Sequence, residues 1–151
     1  MYQSDLDSAY EIEKQVNPSP WSKDNFYSSF DVGHHSLVCR IDSKIIGFVI
    51  FSLIKQESHL LNIGVAKDWQ RKGAGAMLLK SLIKQSKVLG AKKVFLEVRS
   101  KNDNAIFFYT KFNFLKDAIR ANYYSGSDPD DAILMSLEIE LNKFNDFRFN
   151  F

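Results

Sequence analysis

Leu60-Leu61-Asn62-Ile63-Gly64-Val65, followed four residues on by Gln70-Arg71-Lys72-Gly73-Ala74-Gly75-Ala76, is the run that decides the fold. His59, Leu61, Ile63 and Val65 alternate as a strand does. Beyond Gly75, Leu78, Leu79, Leu82 and Leu89 form one face of a helix, Lys80, Lys84 and Lys87 lie on another, and Gly90 stands where a helix-ending glycine belongs. Two glycines between a strand and a helix let a ligand come close to the backbone. The unpaired N–H groups of a helix start, together with its dipole, favour a phosphate there, and Arg71 and Lys72 add positive charge. A Walker loop needs Lys-Ser/Thr after its last glycine, but Gly75 is followed by Ala76-Met77; a dinucleotide fingerprint needs Gly or Ala at the position of Leu78. Both fail, and an ordinary tight turn accounts for a bare G-x-G equally well.

Upstream, Leu6, Ala9, Tyr10 and Val16 predict a helix that Asn17-Pro18-Ser19-Pro20 stops, and Ser22 can cap a second helix carrying Phe26 and Phe30. Leu37, Cys39 and Ile41 alternate, Asp42-Ser43 turns, residues 45–54 return as a long strand, and Gln56-Glu57 turns again. Downstream, residues 94–98 are apolar on both faces, the pattern of a sheet interior. Asn102 or Asp103 can cap a helix through Phe112 with Ala105, Phe108, Tyr109 and Phe112 on one stripe; strands near 114–122 and 132–139 flank the loop Ser125-Gly126-Ser127-Asp128-Pro129. This order predicts a mixed α/β layer structure, a sheet with helices on its faces.

With 151 residues, 45% hydrophobic and 25% charged, one globular domain is expected. The apolar stretch 45–54 is about half of a membrane span, and no leader-like start is visible, so a cytoplasmic protein is expected. The single cysteine, Cys39, excludes a disulfide framework, and alternation with Leu37 and Ile41 makes it a buried strand residue. His34, His35 and His59 have no metal-ligand spacing, so no metal is expected. The net charge of +2 conceals a balance of −3 over residues 1–66, +9 over 67–120 and −4 over 121–151. A basic centre between acidic flanks suits an anionic ligand, or else is a solvated lysine face. Nucleic acid is not expected as a partner, because no nucleic-acid-binding motif accompanies the charge.

The run Gln70-x-x-Gly73-x-Gly75 after the 60–65 strand resembles the acetyl-CoA pyrophosphate loop of the GNAT N-acetyltransferase superfamily, and the element order is similar to that fold. Pro20-Trp21-Ser22, Leu61-Asn62-Ile63-Gly64-Val65, Leu96-Glu97-Val98-Arg99, Asn102, Ala105-Ile106, Tyr109 and Arg120-x-Asn122-Tyr123-Tyr124 resemble, more narrowly, the bacterial ribosomal-protein-alanine N-acetyltransferases. The resemblance implies the GNAT acyl-CoA N-acyltransferase fold, a mixed, mostly antiparallel sheet with helices on both faces, over residues 1–140, with 141–151 as a C-terminal tail. The family's usual strand before the first helix has only Met1 to Ser4 to occupy here, and Phe144, Phe147, Phe149 and Phe151 make the tail apolar.

The resemblance further implies acetyl-CoA as cosubstrate, with its pantetheine arm lying like a strand between the 62–65 and 94–98 strands. Backbone groups of Ile63, Gly64 and Val65 would line the thioester, and the pyrophosphate would sit on Arg71, Lys72, Gly73, Ala74, Gly75 and Ala76. Gly64 fits a place where backbone must approach a ligand. Asn102 matches a family contact to CoA, and an N-cap serves as well. Glu97 matches the family's proton acceptor, and as the one carboxylate in an apolar strand it should be desolvated; a structural ion pair, for instance with Arg99, or a water-facing position is the alternative. Tyr109 matches the general acid for the thiolate, although an aromatic at that spacing also serves as core. Trp21, Tyr123 and Tyr124 would flank the acceptor amine. Asp128, Asp130 and Asp131 suit a basic peptide N-terminus, or simply build a turn. The implied reaction is acetylation of the N-terminal alanine of a small-subunit ribosomal protein by direct transfer. A small amine, polyamine or lysine acceptor, or a non-catalytic acyl-CoA-binding module, remains open at this point.

Overall fold

A computed structural model describes residues 1–139, and the 141–151 tail lies outside them. The Ser22 hydroxyl accepts the Asn25 amide at 3.2 Å and starts α2 (Lys23–Asp31), just after α1 (Leu6–Val16) has stopped at the Pro-rich turn. β1 (His35–Ile41), β2 (Lys44–Ile54) and β3 (Glu57–Val65) follow as an antiparallel meander. The turn before β3 falls at Lys55-Gln56, one residue earlier than the sequence suggests, because Lys55 adopts the left-handed conformation (φ 56°) and Glu57 already pairs with Ile54. Then come α3 (Ala74–Val88), β4 (Lys93–Arg99), α4 (Asp103–Lys111), β5 (Leu115–Tyr124) and β6 (Asp130–Glu138).

The strand order is β1-β2-β3-β4-β6-β5, and every neighbouring pair is antiparallel except β3 with β4. The expected mixed, mostly antiparallel sheet is therefore present. No strand precedes α1 among the described residues; a short 3-10 turn, Gln3–Asp5, stands there instead. α1 and α2 cover one face, where Leu6, Ala9, Ile12 and Phe26 meet Ile45, Phe48 and Ile50. α3 and α4 cover the other, where Leu78, Leu79 and Leu82 meet Val49, Phe51, Val94 and Leu96. β2 lies at the centre of these layers and is buried on both faces over most of its length. Cys39 is buried in β1, as expected.

Two features of the packing depart from the expected pattern. Leu89 is not on the buried face of α3 but 38% exposed at its end; Ser86 is buried in its place, its hydroxyl bonded to that of Ser58 in β3 at 2.7 Å. In β3 the pairing steps from Phe51↔Leu60 to Ile50↔Asn62, so Leu61 is a bulge residue. The bulge exchanges the faces of the strand. Ser58 and Leu60 face α3, but beyond it Ile63 and Val65 do, and Gly64 faces α1.

Candidate active site

β3 and β4 run side by side only from Glu57↔Lys93 to Leu60↔Leu96. Beyond that point each strand keeps its outer neighbour. Gly64 and Val65 stay opposite Phe48 and Gly47 of β2, while Glu97 and Arg99 stay opposite Leu134 and Ala132 of β6. The facing edges, 61–65 and 97–99, are parted, and their backbone groups are available to an extended ligand.

The glycine loop lies at the end of this opening. Gln70 Nε2 donates to the Val65 carbonyl at 3.0 Å and ties the loop to β3. Arg71 (φ 59°) and Gly73 (φ 91°) both take left-handed backbone, and Gly73 is the N-cap of α3 with no side chain to cap it. The first N–H groups of α3 are thus left for a ligand, as an anion site requires. A Cβ at Gly75 would make only ordinary contacts, 3.7 Å to Phe108 and 3.8 Å to Val65, so protein packing does not demand this glycine. Gly64 is different. A Cβ there would stand 2.7 Å from the Phe48 ring, so the packing of the core by itself requires a small residue at this position. The Lys72 ammonium bonds the Asp68 carbonyl at 2.8 Å and lies over Trp69. The Asn102 side-chain oxygen caps α4 by accepting the Ala105 amide at 3.1 Å, which leaves its amide NH2 group for another partner.

Glu97 stands at the first position past the parting, on the face of β4 away from buried Val94, Leu96 and Val98. The expected desolvation is not found: β4 is interior in the sheet, but this face is open, and the Glu97 side chain is 31% exposed. Its ion-pair partner is not Arg99 but Arg120 of β5, which reaches across β6 to bring Nη1 within 2.8 Å of Oε1. The Tyr123 phenol is held above its ordinary pKa, first by its interaction with the Glu97 carboxylate. Tyr124 is raised as well, by burial first and by the charge of Glu97 second. Tyr109 approaches from α4 on the opposite face; it is 7% exposed, and burial, reinforced by nearby Tyr124, pushes its phenol upward and keeps it protonated. Tyr124 thus neighbours both Glu97 and Tyr109.

The 17–21 loop meets this group at Arg99. The Arg99 guanidinium bonds Ser19 Oγ at 3.1 Å, lies 4.3 Å from the Tyr124 ring centroid, and donates to the Asp128 carbonyl at 2.9 Å. Trp21 packs edge-on against Phe26, and its amide donates to Glu13 Oε1 at 2.9 Å, an oxygen that also accepts from Asn17 Nδ2. The acidic cluster proves structural. Asp128 pairs with Lys101 and Arg99, Asp130 accepts from the Ser100 hydroxyl and the Lys101 amide, and Asp131 accepts the Asn122 amide. These carboxylates hold the β5–β6 turn against β4, so their suggested attraction for a basic peptide is largely used up. Glu13, Arg99 and Arg120 were not legible as site residues: the contacts that tie them to the site, Glu13 to Trp21, Arg99 to Ser19 and Arg120 to Glu97, span 8 or more positions in sequence, and no local spacing announces them. A shallow depression of about 290 Å³ between α2 and β1 shares Trp21 with this region but contains neither Glu97 nor Tyr109.

Comparison with known proteins agrees with this architecture. A profile of the acetyltransferase (GNAT) family matches residues 6–114. The [ribosomal protein bS18]-alanine N-acetyltransferase of Salmonella typhimurium is 35% identical over 139 residues, covering 91% of this chain and 94% of the relative. Its counterpart of that name in Haemophilus influenzae is 37% identical over 134 residues, 87% of this chain and 91% of the relative. The crystal structure of the ribosomal-protein-S18-alanine N-acetyltransferase from Escherichia coli superposes with a TM-score of 0.88 at 34% identity, over 97% of this chain and 96% of that one. The parted strands, the uncapped glycine loop and these matches along nearly the whole chain have one explanation: the protein belongs to the acetyltransferase (GNAT) family.

Proposed function

We propose that the protein transfers the acetyl group of acetyl-CoA directly to the α-amine of an N-terminal alanine on a small-subunit ribosomal protein, in the cytoplasm. The observation that carries the reading is Glu97 at the parting of β3 and β4, with Tyr124 and, through Arg99, the Trp21 loop on its side and Tyr109 approaching Tyr124 from the opposite face. The acceptor follows the relatives' names, which belong to chains aligned over residues that include this whole rim.

The pantetheine arm lies along the free edge of β3, with an N–H of the 63–65 segment polarising the thioester carbonyl. The pyrophosphate is held by the uncapped start of α3 and the 71–76 loop, and the free amide group of Asn102 contacts CoA. The acceptor arrives as an ammonium at neutral pH and must lose a proton before it can attack. Glu97 takes that proton. The amine nitrogen bonds to the carbonyl carbon, the carbon–sulfur bond breaks, and the Tyr109 hydroxyl protonates the leaving thiolate; the second proton, which the nitrogen sheds as it becomes an amide, replaces the one Tyr109 has given. With its phenol pKa raised by burial, Tyr109 is in the donor form at working pH. Cys39 is buried in β1 and its thiol is pushed up by burial, so it is no acyl carrier.

The test is thiol release from acetyl-CoA with an Ala-starting basic peptide, its N-blocked copy and spermidine. Turnover only with the free-amine peptide is expected. Glu97→Gln should cut kcat about 10²–10⁴-fold and Tyr109→Phe by a comparable factor, with acetyl-CoA affinity retained. Wild-type rates in both variants would refute the assigned roles, and turnover of spermidine alone would refute the acceptor.

A further inference from the structure

Arg120 has no part in the chemistry above, yet it occupies the base. Its Nη1 donates to Glu97 Oε1 at 2.8 Å, and its guanidinium lies 5.1 Å from the ring centroid of Tyr123. A specific backbone irregularity sets this up. After an earlier register shift between Lys116 and Ala118, β5 pairs from Ala118↔Leu134 to Arg120↔Ala132, then skips to Tyr124↔Asp130; Asn122 between them is left-handed (φ 52°), with its amide held by Asp131 Oδ1 at 2.7 Å. The pair is nonetheless easy to open. The Arg120 side chain is 53% exposed and that of Glu97 31%, and ion pairs so exposed contribute little.

A carboxylate with one oxygen held by a guanidinium is less free to receive a proton from an ammonium, so an acceptor that draws Arg120 away gains the whole base. A peptide N-terminus carries the means. Covalent geometry puts the carbonyl oxygen of the first residue about 3 Å from its own amine nitrogen. An amine set at Glu97 therefore brings that carbonyl to the place where Arg120 stands. A polyamine or a lysine side chain brings an ammonium with no carbonyl beside it. We infer, building on the acetyl-transfer reading above, that Arg120 is a specificity-determining residue: it closes over Glu97 in the free enzyme and moves to the first carbonyl of a peptide acceptor, which uncovers the base for peptide amines and not for simple ones. A guanidinium has donors enough to make this exchange without leaving any acceptor bare.

The experiment is steady-state kinetics of the full chain, wild type against Arg120→Gln and Arg120→Lys, with the Ala-starting peptide and with spermidine. Arg120→Gln should raise the peptide KM about ten- to a hundredfold, the loss of one charge-assisted hydrogen bond. It should change peptide kcat far less and raise kcat/KM for spermidine, so the preference for the peptide collapses. Arg120→Lys, keeping the charge without the fork, should fall between. An unchanged peptide KM, or equal losses on both acceptors, would overturn the inference and leave Arg120 as a mere support for Glu97. Wild type acting on spermidine but not on the peptide would instead overturn the proposed acceptor, and this inference with it. Acetyl-CoA affinity, measured on each variant, should stay at the wild-type value; an affinity lost in both variants would mean that Arg120 serves the fold and would overturn the inference.

Discussion

Gly64→Ala separates two explanations of a glycine that the sequence places beside the expected thioester. The added methyl would stand 2.7 Å and 3.1 Å from two carbons of the Phe48 ring and 3.3 Å from Val16 Cγ2. Carbons are comfortable at about 3.5–4.0 Å, so the ring must retreat by nearly an ångström. It has nowhere to go. Phe48 is 0% exposed and sits edge-on to Phe26, also 0% exposed, with centroids 5.3 Å apart; Phe26 in turn touches Trp21 and Tyr10. Overpacking of this kind costs about 1–3 kcal/mol. For a domain of this size 2 kcal/mol is a fall of about 4–8 °C in Tm. The new methyl points at α1 rather than along the open edge of β3, so acetyl-CoA affinity should change little. Urea unfolding of wild type, Gly64→Ala, Phe48→Leu and the double variant tests the cause. Leucine at 48 should destabilise the wild type by leaving a cavity, but should restore stability to Gly64→Ala, a coupling of opposite sign. Wild-type stability in Gly64→Ala together with lost acetyl-CoA binding would refute the packing account and return this glycine to the ligand.

Glu13→Ala should remove the acceptor for both the Trp21 and Asn17 donors, lowering stability by about 3 kcal/mol and raising the peptide KM; a melting temperature within a degree of wild type would contradict this. Acid should destabilise the protein through Asp5 and Asp130. Burial opposes ionisation of Asp5, but the Tyr2 amide and Arg40 outweigh it, while the Ser100 hydroxyl, against some burial cost, and then the Lys101 and Asp131 amides hold Asp130 below the usual carboxylate range. A carboxyl depressed in the folded state stabilises above its unfolded value of about 3.9 and loses that contribution as pH falls through the folded value. The Tm difference between wild type and Asp5→Asn/Asp130→Asn should therefore be full at pH 6 and shrink below about pH 4; a gap constant down to pH 2.5 would contradict the linkage.

What the sequence reveals of this protein follows the range of the forces involved. Caps at Ser22 and Asn102 act over three residues, and the helix and strand periods act over a few more, so α1 to α4 and all six strands are legible. The α3 face already fails in one place: a period seeks an apolar residue and finds Leu89, whereas the buried position goes to Ser86, whose hydroxyl is satisfied by Ser58, 28 residues away. β3 fails in another. His59, Leu61, Ile63 and Val65 alternate without a break, yet the bulge at Leu61 sends the two halves of that alternation to opposite faces. The same reason hid the setting of Glu97. An apolar strand containing one carboxylate reads as a desolvated acid, but the strand that would have covered it has parted from β4, and its countercharge comes from two strands away. Periodicity describes residues whose neighbours pair regularly, and this site is built where pairing stops: β3 leaves β4 after Leu60, and β5 leaves its ladder after Arg120. Both irregularities expose groups that a continuous sheet would have consumed, the backbone edge of β3 and the side chains of Arg120 and Tyr123. A sheet that paired perfectly here would be easier to foresee, and it would have no opening in which to hold a thioester beside an amine.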